Sequence, residues 1–224
     1  MRPLLIFIAV FFFCYIVFVF LFKNTPLSEG HMRGFAQVHN KCCQRLFQGT
    51  RLYFLPLNNK SLPCEIQGVK FSLPAGKASS EYDSKFYFVN EQKIQEQLAA
   101  ANGAQVTIDL KMQNFDFTFW RGFIIAIVFW AALFCAGFSI GIRGMRSFGW
   151  SLLFIFAFCV FNYLIIVHYF RLQANQMPLH NYSAHYREII SFMYRLNGIE
   201  YLLFGAMMCY ILPHFGKLTR KIHF

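Results

Sequence analysis

Acidic residues are scarce in this chain: Asp and Glu together number 10 against 21 Lys and Arg, and charged residues of all kinds make up 14% of the sequence. An ordinary soluble domain carries about a quarter. With 57% hydrophobic residues and 30 Phe, one soluble domain would have to expose large apolar patches. That class is excluded. Chemical signatures are missing as well. The chain has no Gly-rich phosphate loop, no HExxH helix and no CxxC pair, the spacings that position phosphates, a catalytic zinc or a redox disulfide. It also lacks the internal repeat on which many transporters are built. The expectation is a non-enzymatic protein with no cofactor and no metal.

What the chain does have is long apolar runs. About 20 helical residues cross the hydrocarbon core of a bilayer, and Leu4 to Phe22, Gly122 to Ile142 and Phe148 to Phe170 meet that length. A shorter run from Ile199 to Leu212 contains Glu200 and is read as the end of an amphipathic helix that begins near Ile189. The first run is followed by Lys23, Asn24, Thr25 and Pro26 with no small-x-small cleavage site, so it reads as an uncleaved anchor. The expected fold class is an integral membrane protein with four transmembrane helices and an extracytoplasmic α+β, β-rich domain inserted between the first and second. The domains are then residues 1–22 (anchor helix), 23–120 (extracytoplasmic domain) and 121–224 (three-helix membrane region with a second outer loop at 171–197).

Basic residues in short loops tend to stay cytoplasmic. Arg2, the Arg143 and Arg146 link, and Lys217, Arg220 and Lys221 therefore place both termini in the cytoplasm, and all ten acids then fall on the outer side or at its interface. The expected location is a bacterial inner membrane. The formal charge of +11 needs no nucleic acid, because topology and anionic lipid account for short basic segments next to a bilayer.

Within 23–120, the clearest alternation is Val106 to Met112, with Val106, Ile108, Leu110 and Met112 on one face, the pattern of a half-buried strand. A slip at Gln113 and Asn114 precedes a second alternation through Phe115, Phe117 and Phe119, which predicts a bulge or tight turn leading into the second span. Arg51 to Leu57, Cys64 to Leu73 and Lys85 to Val89 are weaker strand candidates among Pro56, Pro63, Gly68, Pro74 and Gly76. Asn90 is placed to cap a helix over Glu91 to Ala101, with Ile94, Leu98 and Ala101 on one face and Asn102 and Gly103 ending it.

Seven cysteines divide by compartment. Cys14, Cys135, Cys159 and Cys209 lie in apolar runs, where a thiol packs as a small hydrophobe. Cys42, Cys43 and Cys64 lie outside, where disulfides persist. Because adjacent cysteines rarely bond each other, the expected bridge joins Cys64 to Cys42 or Cys43.

Ionisable and polar residues in the spans are candidate sites. Glu200 sits at a depth similar to Arg121 and Arg171, so these three form an expected charge cluster, structural or partner-binding. Asn162 and His168 mark a possible polar path, with interhelical hydrogen bonding as the simpler role. His180, Tyr182, His185 and Tyr186 in the second outer loop lack the carboxylates or thiols of a metal site and read as interface anchors. Asn59 and Asn181 each begin an Asn-x-Ser triplet, a pattern that chance also supplies.

The functional expectation is a membrane-held binding module whose outer domain engages another membrane or extracytoplasmic protein. An accessory subunit of a membrane complex and an immunity protein against a membrane-acting toxin both have this build. The alternative is a channel or transporter component that uses the polar residues of the spans. In a structure with the partner present, an outer domain buried in a contact of more than about 1,000 Å² favours the first, and a continuous polar cavity reaching Asn162 favours the second.

Overall fold

The computed structural model describes residues 2–23, 26–57, 61–74, 76–77, 81–101, 107–141, 145–178 and 182–196. The chain divides into two compact units, one drawn from Met1–Ser28, Trp120–Ile166 and Phe192–Phe224, the other from Glu29–Phe119 and Val167–Ser191.

The first unit is helical. Helix α1 (Arg2–Phe22) holds no acid and no polar face. A π-helical turn at Trp120–Ile124 leads into α4 (Ile125–Ser139), and α5 runs over Met145–Gln173. Three segments, Leu5–Phe22, Trp120–Ser139 and Ile155–Gln173, are long and apolar enough to cross a membrane, so the chain reads as a membrane protein. The fourth expected span, with Glu200, lies outside the described residues. Helices α1 and α4 pack together. Ala132 and Ala136 of α4, one turn apart, are fully buried, and small residues of this kind let helices approach where no hydrophobic effect drives them together. Phe11 meets Phe129 edge-on with centroids 5.0 Å apart. The outer faces of α1 expose Phe13 and Phe20, a surface suited to lipid.

The second unit is a sheet packed on both faces. Strands β1 (Thr50–Pro56), β4 (Ser84–Asn90) and β5 (Met112–Phe117) form an antiparallel sheet in the order β1-β4-β5. A separate hairpin joins β2 (Leu62–Ile66) to β3 (Val69–Leu73). Its turn, Gln67-Gly68, has φ of 52° and 83°, the left-handed pair that suits the twist of a two-residue hairpin. On one face of the sheet, Tyr53, Leu55, Tyr87 and Val89 bury against Ile66 and Leu73 of the hairpin and Ile94 of helix α3 (Glu91–Ala101). On the other, Phe54 and Phe86 meet Phe35 and His39 of helix α2 (Pro26–Cys42), and Phe86 and Phe115 meet Phe170.

Helix α3 begins as expected: Asn90 Oδ1 accepts the Lys93 N–H at 2.9 Å. Helix α6 (Ala184–Leu196) starts on Ser183, whose Oγ accepts the Tyr186 N–H at 3.2 Å, so it begins five residues earlier than Ile189.

Four features depart from the sequence reading. Residues 107–111 are not a strand, although Ile108, Leu110 and Met112 do pack against the core. Gln97 replaces the missing neighbour there, its Oε1 accepting the Asp109 N–H at 2.9 Å and its Nε2 donating to the Asp109 carbonyl at 3.3 Å. Gln113 and Asn114 form no bulge; they pair in register with Phe88 and Tyr87. Cys64 to Leu73 is not one strand but lies within the hairpin, because the pair at 67 and 68 reverses the chain. Helix α2, not anticipated, closes the free edge of β1. Asn40 Oδ1 accepts the Phe54 N–H at 2.8 Å, Asn40 Nδ2 donates to the Phe54 carbonyl at 2.9 Å, and the Gln44 carbonyl accepts the Leu52 N–H at 2.9 Å. Covering an edge in this way removes a template for aggregation.

Candidate functional site: a polar groove on the sheet unit

The loop after α2 turns into β1 at Gly49, whose φ of +67° is the left-handed conformation and whose missing Cβ leaves room for Pro178 and Gln92. The Gly49 carbonyl accepts the Gln92 N–H at 3.1 Å, tying this loop to the first turn of α3. Between them lies a groove of about 1050 Å³. The loop contributes Arg45 and Gln48, the hairpin contributes Glu65, Ile66 and Gln67, and α3 contributes Gln92 and Gln95.

The groove also contains a fixed ion pair. Arg51 Nε donates to Glu91 Oε2 at 2.8 Å and Nη2 to Oε1 at 2.7 Å, and both side chains are largely buried, 13% and 14% exposed. A two-pronged, partly desolvated pair is stiffer than a surface ion pair. It leaves the remaining guanidinium N–H donors of Arg51 for other acceptors. Gln92 is engaged by Glu96 at 3.0 Å. Gln48, Gln67 and Gln95 are exposed.

Sequence reasoning did not find this groove. Its residues are ordinary surface amides and charges, and only the pairing of β1 with β4 brings Arg51 to Glu91, 40 residues away.

The residues singled out from sequence lie elsewhere. Arg121, in the π-helical turn, is exposed. Arg171 is buried, 4% exposed, donating from Nη2 to the Pro178 carbonyl at 2.5 Å with its guanidinium 5.8 Å from the Phe47 ring centre. Glu200, the third member of the expected cluster, is outside the described residues. Asn162 is buried in the first unit and its Nδ2 donates to the Gly122 carbonyl at 3.3 Å, joining α5 to the π-helical turn. His168 belongs to the second unit, with Nδ1 2.7 Å from the Tyr186 hydroxyl and its ring 5.1 Å from that of Phe47. Tyr182 stacks on Tyr186, His185 is exposed, and His180 is outside the described residues.

The expected Cys64 bridge is not formed in this structure, where Cys42, Cys43 and Cys64 are all free thiols. Cys64 faces the sheet core and donates to the Leu62 carbonyl at 3.6 Å, whereas Cys42 is the last residue of α2 and Cys43 lies in the turn that follows. Burial pushes the Cys64 thiol up to about 11, against a smaller opposing effect of its hydrogen bond with Tyr53, so it stays protonated and a poor nucleophile. Burial likewise raises the Tyr53 hydroxyl to about 12. Burial also drives His39 down to about 4, only partly offset by the bond from its Nδ1 to Asn40 Oδ1 at 3.1 Å. Among the described residues no group of three His, Cys, Asp or Glu is placed to hold a metal ion.

No known protein family, characterised protein or solved structure matches the chain.

Proposed function

We propose that the protein is a non-enzymatic, membrane-held binding module. In this reading the apolar helices anchor it in a bacterial inner membrane with both termini in the cytoplasm, and the sheet unit outside engages another envelope protein, either a toxin that acts on the membrane or the core of a complex to which this chain is accessory. The observation that carries the reading is the polar groove with its fixed Arg51–Glu91 pair. Such a surface presents hydrogen-bonding groups on a preorganised frame, and it holds amides and paired ions in place of a nucleophile and base. Asn162 supports the same reading, because its amide is used in packing α5 on the π-helical turn.

The test is site-specific photo-crosslinking in native membranes, with the reactive group at Gln48 or Gln95 and, as a control on another face, at Val38. A discrete adduct with one polypeptide from the groove positions is expected. Absence of any adduct, together with ion or solute flux that falls in Asn162→Ala at normal abundance, would replace the module by the channel component.

A further inference from the structure

We propose that the groove takes an extended polypeptide segment bearing one acidic and one basic side chain, the acid toward Arg45 and the base toward Glu65. The inference rests on the binding-module reading and names the chemistry of its ligand. An extended chain presents an N–H and a C=O at every residue, and each needs a partner once buried. This fold grips such a residue twice with one side-chain amide. Asn40 takes both backbone groups of Phe54, and Gln97 takes both of Asp109. The groove offers three more amides of the same kind, on Gln48, Gln67 and Gln95. None of the three has a hydrogen bond within the described residues.

Charge sets the rest. Arg51 and Glu91 satisfy each other, which leaves Arg45 and Glu65 as the groove's ions without a partner among the described residues. One of each sign selects a dipolar ligand over a uniformly acidic or basic one. No aromatic side chain lines the groove, so it has no face on which a base would stack. Small-molecule pockets are mostly apolar and reach about 1,000 Å³; a polar groove of about 1050 Å³ suits a segment of chain better.

The experiment uses the full chain in detergent micelles and fluorescein-labelled decapeptides of Gly, Ser and Thr, read by fluorescence anisotropy. One set carries a single Asp and a single Lys at varied separations, and controls are neutral, doubly acidic or doubly basic. The best mixed-charge peptide is expected to bind at least about fivefold tighter than the neutral one, and Arg45→Glu and Glu65→Arg each to lose about fivefold. The double swap should prefer the same peptide with Asp and Lys exchanged. Both substituted side chains are exposed, so thermal unfolding verifies that each variant is folded. Equal binding of all peptides, a preference that survives the swap, or binding of a fluorescein-labelled neutral oligosaccharide where no peptide binds would overturn the proposal. If the peptides fail but the crosslinker at Gln95 still captures one envelope polypeptide, the ligand assignment falls and the module stands. If both fail, both fall.

Discussion

Asn40 is the most informative single residue to change, because one amide closes the edge of β1. Its Oδ1 and Nδ2 satisfy the N–H and C=O of Phe54, a residue with 0% exposure. In Asn40→Ala both backbone groups lose their partner at a site where water has little access. Each unsatisfied buried group costs about 1–3 kcal/mol; allowing for local relaxation, the pair is expected to cost about 2–4 kcal/mol. Gln97→Ala is the matched control, since it removes the same two-bond grip from Asp109 at an exposed position. Water replaces those bonds, and the expected loss is below about 1 kcal/mol. The assay is denaturant unfolding of the full chain in micelles, followed by Trp and Tyr fluorescence, with hydrogen exchange at the Phe54 amide read by mass spectrometry. Asn40→Ala should be less stable than Gln97→Ala and should lose protection at Phe54. Equal stability of the two variants, or unchanged protection at Phe54, would refute the reasoning.

His39 is lowered to about 4 by burial against an ordinary value of 6.5, so the folded state favours the neutral ring; the resulting stability is present above pH 6.5 and is lost as pH falls toward 4, by at most about 3 kcal/mol. The difference in unfolding midpoint between pH 7 and pH 4.5 should shrink in His39→Gln, and an unchanged difference would remove His39 as its source. Gly49→Ala must hold a φ of +67° with its Cβ 3.3 Å from Pro178 Cγ, whereas Gly68→Ala at +83° meets nothing within 4 Å; both lose about 1 kcal/mol to backbone strain, and Gly49→Ala should lose measurably more in the same unfolding assay. Cys42 is exposed while the Cys64 thiol is held up at about 11, so iodoacetamide at pH 8 should label Cys42 well before Cys64; equal rates, or the intact mass of a bridged chain without reductant, would contradict the free-thiol arrangement.

The membrane helices were legible because their signal is local: a run of apolar residues is unfavourable in water whatever surrounds it, and Leu5–Phe22, Trp120–Ser139 and Ile155–Gln173 follow the expected runs closely. Helix α3 was equally legible, since its cap, its buried Ile94 and its first turn all lie within a few residues of one another. The sheet was harder to place. Val106 to Met112 carries the alternation of a strand with one wet face, yet 107–111 form no strand: Asp109 is held by the side chain of Gln97, and the Lys111 carbonyl accepts the Asn90 N–H at 2.9 Å. The real central strand, Ser84–Asn90, reads as a nearly continuous apolar run because hairpin and α3 cover one face and α2 and Phe170 the other. Burial on both faces erases the period of two on which recognition depends.

Helix α2 was missed because its buried positions Met32, Ala36 and His39 are few and dispersed among Gly30, Gly34 and polar residues, and its stability comes from the sheet it covers rather than from its own propensity. The groove is further still from the sequence. Arg45, Arg51, Glu65 and Glu91 are unremarkable one by one, and nothing local couples the loop, the hairpin and the first turn of α3. Local hydrophobicity determined the long apolar helices and local capping determined α3; the sheet decided α2, and pairing between distant strands decided which charges meet and which amides remain open to a partner.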